Sequence, residues 1–326
     1  MSDQPEIFSI NGRKQFEKKA LKTFRFQHSN NLVYRDFCDL LHVDPQEVKS
    51  INDIPFLPIQ FFKSHRVISR NQPVQITFTS SGTTGAITSS HYVTDSKIYE
   101  DSFRNGFARF YGDIEDYVVL ALLPSYLERE GSSLVYMADD FIRNSKRRES
   151  GFYLHNTEEL ADKLIALDNA GENILLVGVT YALLDLVDKR KFNLRNTIIM
   201  ETGGMKGRRK EMIREELHQQ LCIGFGVSSI HSEYGMTELL SQAYSPGNGI
   251  FECPPWMDIL IRDTEDAFSY IGSGKTGGIN VIDLANINSC SFIATQDLGK
   301  KYPNNSFEVL GRFDHSDIRG CNLMVM

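Results

Sequence analysis

The sequence predicts an α/β fold, in which parallel or mixed sheets are covered by helices, joined to a smaller β-rich subdomain. In the middle of the chain, short apolar runs suited to buried strands alternate with segments of helical spacing, which is typical of parallel strands covered by helices. After Pro246 the pattern changes to short strands and glycine turns, which indicates an antiparallel or barrel-like arrangement. The 326 residues, 41% of them hydrophobic, suffice for one large domain or two joined subdomains.

Three parts follow one another along the chain. About residues 1–72 are expected to be helical and irregular, with charged amphipathic pieces such as Lys14–Phe24. Residues 73–245 form the predicted α/β part. Its expected strands are Val74–Phe78, Tyr117–Leu123, Asn173–Val179 and Asn196–Met200, and its expected helices are Thr157–Asn169, Tyr181–Lys189 and Gly207–Leu221. Residues 246–312 are the β-rich part.

Charge and composition argue against several classes of protein. A formal net charge of −7 argues against a nucleic-acid-binding surface, which needs concentrated lysine and arginine. The N-terminus lacks the basic and apolar regions of a secretion signal, and the longest apolar runs are far too short to span a bilayer. A cytoplasmic protein without a membrane span is therefore expected. Neither a disulfide framework nor a zinc site is predicted, because the cysteines are widely scattered: Cys38, Cys222, Cys253, Cys290 and Cys321.

A loop rich in hydroxyl groups and glycine follows the first predicted strand of the α/β part. Residues Thr79–Gly85 contain five Ser/Thr residues and two glycines. Glycine lets the backbone curl, so that hydroxyl and N–H groups can converge on a polyphosphate without clustered lysines. Such runs also occur in plain turns. A solvent-exposed linker, however, would not follow a buried strand so closely.

A second glycine-rich segment, Gly272–Gly277, matches Gly-x-Gly-x-x-Gly but is not expected to bind a nucleotide. A dinucleotide-binding turn must open a helix, whereas this one opens the alternating strand Gly278–Asp283. The segment also contains Gly-Lys-Thr, yet a phosphate-binding loop of the NTPase type would need glycine at the position of Ser269. A β-hairpin turn is the better interpretation.

Four segments together resemble the AMP-forming adenylating enzymes, the superfamily of acyl-CoA synthetases and luciferase. Ser-Ser-Gly-Thr-Thr-Gly at 80–85 resembles the phosphate-binding loop of these enzymes. The other segments follow in the superfamily's order: Tyr234–Glu238 resembles its aromatic-Gly-x-Thr-Glu motif, Asp297 its ribose-binding aspartate, and Gly311–Asp314 its Gly-Arg-x-Asp hinge. Ordered matches over most of the chain are a far stronger signal than any one of them alone.

The resemblance implies that a carboxylic acid is the substrate and that ATP and Mg²⁺ are the cofactors. The carboxylate attacks the α-phosphate of ATP with loss of pyrophosphate, so the site must supply phosphate donors and a cation held by an acid. The residues expected to bind phosphate are Ser80, Ser81, Gly82, Thr83, Thr84 and Gly85. Glu238 is the expected Mg²⁺ ligand, together with a hydroxyl group from Thr83 or Thr84, since Mg²⁺ prefers a few hard oxygens plus substrate phosphates.

The motif Tyr234-Gly235-Met236-Thr237-Glu238 is expected to bind the nucleotide and to act in catalysis. The resemblance implies that Tyr234 lies against adenine and that Thr237 bonds to the α-phosphate. Glu238 has a structural alternative, a carboxylate at a helix start, because the following Leu239–Ala243 looks helical. The two interpretations are compatible.

Three further segments are assigned to the nucleotide by the same resemblance. Gly203 and Gly204 would pack along the adenine edge, because a Cβ would hold the ring off; an ordinary strand-to-helix turn is the alternative. Asp297, at the exit of a strand expected at Ser291–Ala294, would accept hydrogen bonds from ribose hydroxyls, although a surface turn aspartate is the alternative. Arg312 is expected to act in catalysis by bridging ribose or phosphate oxygens with its fixed fork of donors.

Longer segments narrow the resemblance to the acyl-protein synthetase (LuxE) family of the bacterial fatty acid reductase complexes. These segments are Leu123–Arg129 with Gly131–Met137, Glu233–Tyr244 and Arg319–Cys321. In that family a cysteine near the C-terminus accepts the acyl group as a thioester, and Cys321 stands at the matching place. The neighbouring Arg319 could favour its thiolate. A free thiol on a frayed terminus is the alternative.

The large adenylate-forming domain is expected to span residues 1–312, with residues 313–326 as hinge and short tail. Asp314 of the hinge lies twelve residues before the last residue. The C-terminal domain of the superfamily, and the lysine which that domain supplies to adenylation, are therefore expected to be absent.

The predicted function is activation of a carboxylic, and by the family resemblance fatty, acid to acyl-AMP, followed by transfer to a protein thiol. An acyl-CoA or acyl-protein reductase, or a carrier protein, is the expected kind of partner. One alternative is a CoA or carrier-protein ligase resembling the phenylacetate–CoA ligases, and another is a nucleotide-binding subunit without chemistry of its own. His91 and His231 flank the loop and the Tyr-Gly motif, but a lone histidine is more often structural, so neither is assigned a catalytic role.

Overall fold

The computed structural model describes residues 6–80, 87–124, 131–203 and 212–313. In this part of the chain the α-helices are Arg13–Asn30 (α1), Leu32–Leu40 (α2), Phe61–Ser64 (α3), Ser96–Tyr111 (α4), Ser133–Ser145 (α5), Thr157–Asn169 (α6), Thr180–Lys189 (α7) and Arg214–Phe225 (α8). The strands are Leu57–Pro58 (β1), Ile76–Thr79 (β2), Ser90–Val93 (β3), Val118–Leu122 (β4), Gly151–Phe152 (β5), Ile174–Val179 (β6), Thr197–Thr202 (β7), His231–Tyr234 (β8), Ala243–Ser245 (β9), Ile250–Phe251 (β10), Met257–Arg262 (β11), Gly277–Asp283 (β12), Phe292–Lys301 (β13) and Phe307–Arg312 (β14). The chain divides into two compact units, Gln72–Pro254 and Met1–Asn71 with Pro255–Met326.

The unit Gln72–Pro254 is built on a sheet of strand order β5-β4-β6-β7-β8-β9. All neighbouring pairs from β5 to β8 are parallel, and only β9 runs antiparallel, beside β8. Every residue of β4 and β6 is buried, because helices α5, α6 and α7 contact these strands. The alternating apolar runs of the sequence therefore correspond to parallel strands covered by helices, as predicted.

A separate antiparallel hairpin, β2 with β3, precedes this sheet in the same unit. Its register pairs Phe78 with His91 and Thr79 with Ser90. The Phe78 ring is buried between Tyr99 and Tyr136, at centroid distances of 5.3 and 5.6 Å. These edge-on aromatic contacts anchor the hairpin on helices α4 and α5.

The second unit joins the N-terminal helices to an antiparallel sheet. Strands β11, β12, β13 and β14 are antiparallel neighbours, and the short strand β1 pairs in parallel with β13. The buried side chain of Gln27 in α1 donates to the carbonyl groups of Asn286 and Ile287 and accepts from the backbone N–H of Ser291. Rings of Phe24, Tyr34 and Phe56 pack around Phe292. Burial of these rings and of the Gln27 amide holds α1 and α2 on the sheet.

The structure describes two further segments for which the sequence made a prediction, a glycine-rich turn and a helix. The glycine-rich segment Gly272–Gly277 lies in the connection between antiparallel β11 and β12 and leads into a strand, as predicted. The helix expected at Gly207–Leu221 instead begins at Arg214 among the described residues and extends to Phe225, where Gly226 at φ 71° ends it. Within the described residues, no helix is both long and apolar enough to cross a membrane.

Candidate functional site

The carboxyl ends of three neighbouring parallel strands bring predicted motifs of the α/β unit to one edge of the sheet. Strands β6, β7 and β8 end at Val179, Thr202 and Tyr234, and their register places these ends side by side. Ligands of α/β sheets bind at such an edge, beyond the carboxyl ends of the strands. Gly203 and the segment Tyr234–Glu238 both follow directly at this edge.

Gly203 is the first residue after β7. Its φ of 70° lies in the left-handed region that favours glycine. The hydroxyl group of Thr180 lies 3.3 Å from the Gly203 carbonyl oxygen and 3.1 Å from Oε2 of Glu201, so it can donate to either. The start of α7 is thus fixed against the end of β7. Gly204 lies outside the described residues, and the packing of adenine on this turn stays a prediction.

The buried carboxyl group of Glu201 precedes this turn and is surrounded by donors. Its Oε1 accepts hydrogen bonds from Nη1 of Arg214 and Oγ of Ser232, both at 2.7 Å, and lies 3.5 Å from Nε2 of His218. Burial by itself would raise the pKa of Glu201. The hydrogen bond from His218, the charge of Arg214 and the Ser232 hydroxyl outweigh burial and lower this pKa.

Ser232, His218 and Glu201 do not form a nucleophilic triad. In such a triad the serine gives its proton to the histidine, which the acid orients from the other ring nitrogen. Here the Ser232 hydroxyl donates to the carboxylate itself, and the same histidine nitrogen faces both groups. The cluster therefore ties α8, β7 and β8 together.

A second carboxyl group, Glu233, lies one position before Tyr234. The Thr202 hydroxyl donates to its Oε2 at 2.5 Å, and its Oε1 lies so close to Gly235 that an added Cβ there would collide with it. Burial of the carboxyl group and the negative charge of Glu201 raise the pKa of Glu233 from 4.5 to about 7, although the Thr202 hydrogen bond opposes the change.

The segment after Tyr234 is a chain reversal that is half-buried at residues 235–237 and buried at residues 238–242. Strand β9 pairs antiparallel with β8, with Ala243 opposite Tyr234, so residues 235–242 must turn back within a few positions. The helix expected at Leu239–Ala243 is therefore wrong, because the buried Leu239 and Leu240 fill the turn. Glu238, only 5% exposed, lies in this turn.

The Tyr234 ring and Thr237 are placed by contacts inside the same unit. Tyr234 is buried, and its ring meets Phe251 edge-on with centroids 6.0 Å apart. The guanidinium group of Arg214 lies over the other ring of this pair, 5.2 Å from the Phe251 centroid. Nδ1 of the buried His91 lies 2.8 Å from the carbonyl oxygen of Thr237 and is oriented to donate to it. His91 therefore tethers strand β3 to the turn that contains Thr237.

This tether connects the hairpin β2–β3 to the turn that carries Glu238. The hairpin is closed by Ser80 and Ser89: the Ser80 N–H donates to the Ser89 carbonyl at 3.1 Å, and the Ser89 N–H donates to Oγ of Ser80 at 2.9 Å. The Thr79 N–H donates to the carbonyl of Gly131 at 2.7 Å. The loop predicted to bind phosphate thus leaves from a fixed base, next to a strand that contacts Thr237.

Several predicted site residues lie outside the described part of the chain: Ser81, Gly82, Thr83, Thr84, Gly85, Gly204 and Cys321. Of the expected Mg²⁺ ligands, only Glu238 is described. Among the described residues, no group of three or more histidine, cysteine, aspartate or glutamate side chains could hold a metal ion. One carboxylate nevertheless fits Mg²⁺ in a nucleotide site, where the substrate phosphates and water supply most ligands.

Asp297 and Arg312 form a cross-strand pair in the other unit. They are register partners on β13 and β14, and Nε of Arg312 lies 3.4 Å from Oδ1 of Asp297. The Arg312 side chain is 70% exposed, so it remains accessible to a ligand. The expectation that Asp297 follows the end of a strand is wrong, because β13 continues to Lys301 by pairing with β14 across a register shift at Leu298 and Gly299. The ribose contact stays a prediction.

Four charged or titratable residues beside the candidate site were not singled out from the sequence. They are Glu201, Arg214, His218 and Glu233. A signal was present, because a glutamate stands two residues before the glycines Gly203 and Gly235, and Glu201 directly follows the strand expected at Asn196–Met200. A buried carboxylate needs a partner. The partners come from other elements, mainly α8 for Glu201 and β7 for Glu233, and sequence spacing gives no access to these contacts.

Similar solved structures share the fold of adenylating enzymes. The open conformation of 2-hydroxyisobutyryl-CoA ligase in complex with 2-HIB-AMP and CoA has a TM-score of 0.67 at 12% identity, covering 93% of this chain and 70% of that one. ATP-bound MatB from Rhodopseudomonas palustris has a TM-score of 0.56 at 17% identity, covering 75% of this chain. The matched part is about half, 49%, of the length of MatB. The predicted fold class is thereby confirmed.

Sequence relatives identify the family within that fold. The long-chain-fatty-acid–luciferin-component ligase of Vibrio harveyi is 24% identical, covering 98% of this chain and 89% of the relative. The ligase of the same name from Photorhabdus luminescens is 33% identical over 86 residues, which cover 26% of this chain and 73% of the relative. Residues 1–99 match the family model described as acyl-protein synthetase, LuxE. Since these matches agree with the motifs found along the sequence, the chain belongs to the acyl-protein synthetase (LuxE) family.

Proposed function

We propose that this protein uses ATP to activate a long-chain fatty acid as an acyl-AMP and then transfers the acyl group to a protein thiol. The observation that carries the proposal is the contact of His91 with Thr237. It fixes the hairpin that bears the Ser80–Gly85 loop against the turn that bears Glu238, at the carboxyl edge of a parallel sheet. The names of the curated relatives supply the class of acid.

In this proposal the phosphates of ATP lie between the loop and the Thr237–Glu238 turn. Hydroxyl and backbone N–H groups of Ser80–Gly85 hold the β- and γ-phosphates, and Thr237 holds the α-phosphate. Glu238 and Thr83 would hold Mg²⁺, and the charge of the ion would offset negative charge on the phosphates. The fatty acid carboxylate then attacks the α-phosphorus in line with the departing pyrophosphate, so a P–O bond forms as another breaks.

The adenosine part would lie against the turn at Gly203 and Gly204, with Tyr234 toward the ring. Asp297 would accept from the ribose hydroxyl groups, and Arg312 would donate to ribose or phosphate oxygens. The acyl group then leaves AMP for a thiolate, forming a thioester. Cys321 is the proposed acceptor within the chain, and a partner reductase or carrier protein is the proposed next acceptor.

The variant Glu238→Gln tests this function, because it keeps the shape of the side chain but removes the charge that Mg²⁺ requires. We expect acyl-AMP formation to fall by roughly a hundredfold or more, as when a group that stabilises the transition state is removed. The matched control is Glu252→Gln, a substitution of an exposed carboxylate in the same unit. Pyrophosphate release is followed with fatty acids of graded length, with and without CoA.

Each outcome of this assay separates one function from another. Wild-type rates of acyl-AMP formation in Glu238→Gln would contradict the site assignment. Acyl-CoA appearing only when CoA is added would indicate a CoA ligase. Binding of ATP without pyrophosphate release, even with a partner reductase present, would indicate a nucleotide-binding subunit.

A further inference from the structure

Glu233 carries a carboxyl group at the sheet edge to which the proposed chemistry gives no role. Glu233 pairs in register with Thr202 on β7 and with Tyr244 on β9, so it stands between two strands at the point where the site begins. The residue as a whole is half-buried, while its carboxyl group is buried. Its two oxygens have different contacts: Oε2 accepts from the Thr202 hydroxyl at 2.5 Å, and Oε1 lies against Gly235.

We propose that Glu233 is a positioning residue for the nucleotide: by holding Thr202 with one oxygen and lying against Gly235 with the other, its carboxyl group fixes the spacing between the end of β7 and the turn that follows Tyr234. The end of β7 is Thr202, with Gly203 directly after it. This inference rests on the proposed function, in which these two segments hold the adenine ring and the α-phosphate. Glu233 itself touches neither the fatty acid nor the reacting phosphorus in this arrangement.

The Glu233 carboxyl group occupies the space beside Gly235. A Cβ added at Gly235 would collide with Oε1 of Glu233 and would lie 3.4 Å from Cγ of Gln242. Both side chains therefore border the start of the turn. Gln242 is buried, and its Oε1 has no hydrogen-bond partner among the described residues. Side chains that support a turn in this way help to place a bound ligand precisely.

The surroundings of Glu233 disfavour its charge. Its titratable neighbours on the packed elements are Glu201 on β7, Tyr244 on β9 and Tyr99 on α4. Glu201 is ionised and held by Arg214 and His218, so its negative charge further disfavours ionisation of Glu233. A carboxyl group kept where burial and a like charge oppose its ionisation is more typical of functional sites than of structural ones.

The test compares Glu233→Ala, Glu233→Gln and Thr202→Val with the wild-type chain and with Glu252→Gln as control. Binding of ATP is measured by calorimetry, and KM for ATP and kcat are measured by pyrophosphate release. Glu233→Ala and Thr202→Val should raise Kd and KM for ATP by roughly threefold to tenfold, the range for one lost hydrogen bond, with kcat nearly unchanged. Glu252→Gln should leave all three constants at wild-type values.

The variant Glu233→Gln provides a second measurement, the pH dependence of KM for ATP, which a purely structural role of Glu233 would leave unchanged. At about pH 6, where the wild-type carboxyl group is mostly protonated, Glu233→Gln should bind ATP as wild type does, because the amide still accepts from Thr202. As pH rises through about 7, KM for ATP should rise in wild type and stay flat in Glu233→Gln, since a new negative charge opposes the anionic nucleotide.

Normal Kd and KM for ATP in a folded Glu233→Ala would overturn the inference. If Glu233→Ala does not fold, unchanged constants in Thr202→Val, or identical pH profiles of wild type and Glu233→Gln, would overturn it instead. In these cases the wild-type chain still releases pyrophosphate, and the proposed function stands. A wild-type chain that neither binds ATP nor releases pyrophosphate would overturn both.

Discussion

Replacing Glu233 by Gln tests whether the buried carboxyl group at the end of β8 lowers the free energy of unfolding of the chain. In the folded chain the pKa of this group is about 7, against an ordinary value of 4.5, chiefly because the carboxyl group is buried. The difference of about 2.5 corresponds to roughly 3 kcal/mol, because each pKa unit is worth about 1.36 kcal/mol. The glutamine amide has the same shape and carries no charge at any pH.

The sign of the effect follows from proton binding. Between about pH 4.5 and 7 the folded chain keeps the proton on Glu233 and the unfolded chain loses it, so this group makes stability fall as pH rises. Above about pH 7 the full penalty is present. We therefore expect Glu233→Gln to be more stable than wild type by up to roughly 3 kcal/mol at about pH 8, and nearly equal to it at about pH 4.5.

Urea unfolding followed by far-ultraviolet circular dichroism measures this difference. A gain of roughly 3 kcal/mol shifts the midpoint by about 1 M urea for a slope near 3 kcal/mol per M. The reasoning is refuted if the stability difference between variant and wild type is the same at both pH values, or if Glu233→Gln is the less stable protein at about pH 8.

Three further predictions follow from other contacts of the site. Arg214→Gln removes the charge nearest to Glu201, so urea unfolding at neutral pH should show that the free energy of unfolding falls by about 2 kcal/mol. This decrease is smaller than that for a fully buried ion pair, because Arg214 is partly exposed. Because the pKa of Glu201 is lowered, that loss should disappear as pH falls below about 4.5, and a loss of equal size at low pH would contradict the assignment. His91→Phe leaves the Thr237 carbonyl without its donor. The free energy of unfolding should therefore fall by about 1–3 kcal/mol, and the rate of acyl-AMP formation should fall as well. Full adenylation activity in the folded variant would show that the tether is dispensable. With labelled fatty acid and ATP, Cys321→Ser should still form acyl-AMP but lose the hydroxylamine-labile acyl label on the protein, because a serine hydroxyl is too weakly ionised to replace a thiolate; label retained on this variant would move the acceptor elsewhere.

The parallel sheet could be predicted because its strands are buried on both faces. Continuous apolar runs such as Ile174–Val179 stand out against helical spacing, and the helix Thr157–Asn169 was predicted with the bounds that the structure has. The chain reversal after Glu238 could not be predicted in the same way. Leu239 and Leu240 have the composition of a helix face, but the pairing of β9 with β8 decides their conformation.

The charged neighbours of the site could not be predicted from spacing along the chain. Glu201 precedes a glycine turn and Arg214 begins the next helix, and the sequence does not say that a hydrogen bond of 2.7 Å joins them. Asp297 gives a similar lesson. A strand expected at Ser291–Ala294 placed Asp297 just beyond its end, but pairing with β14 extends the strand through Asp297. Contacts between distant segments override local pattern in both cases.

Transfer of the acyl group to cysteine requires an ionised thiol, a requirement that adenylation does not have, because only a thiolate attacks the adenylate at a useful rate. Burial raises the pKa of Cys38 from 9.0 to about 12, which lowers its thiolate fraction roughly a thousandfold at neutral pH. Burial also raises the pKa of Cys290 and of Cys222. These three thiols are therefore poor acceptors, and an acyl label found on the protein points to Cys321 or Cys253. A label that survives Cys321→Ser but disappears in Cys253→Ser would place the thioester in the α/β unit itself.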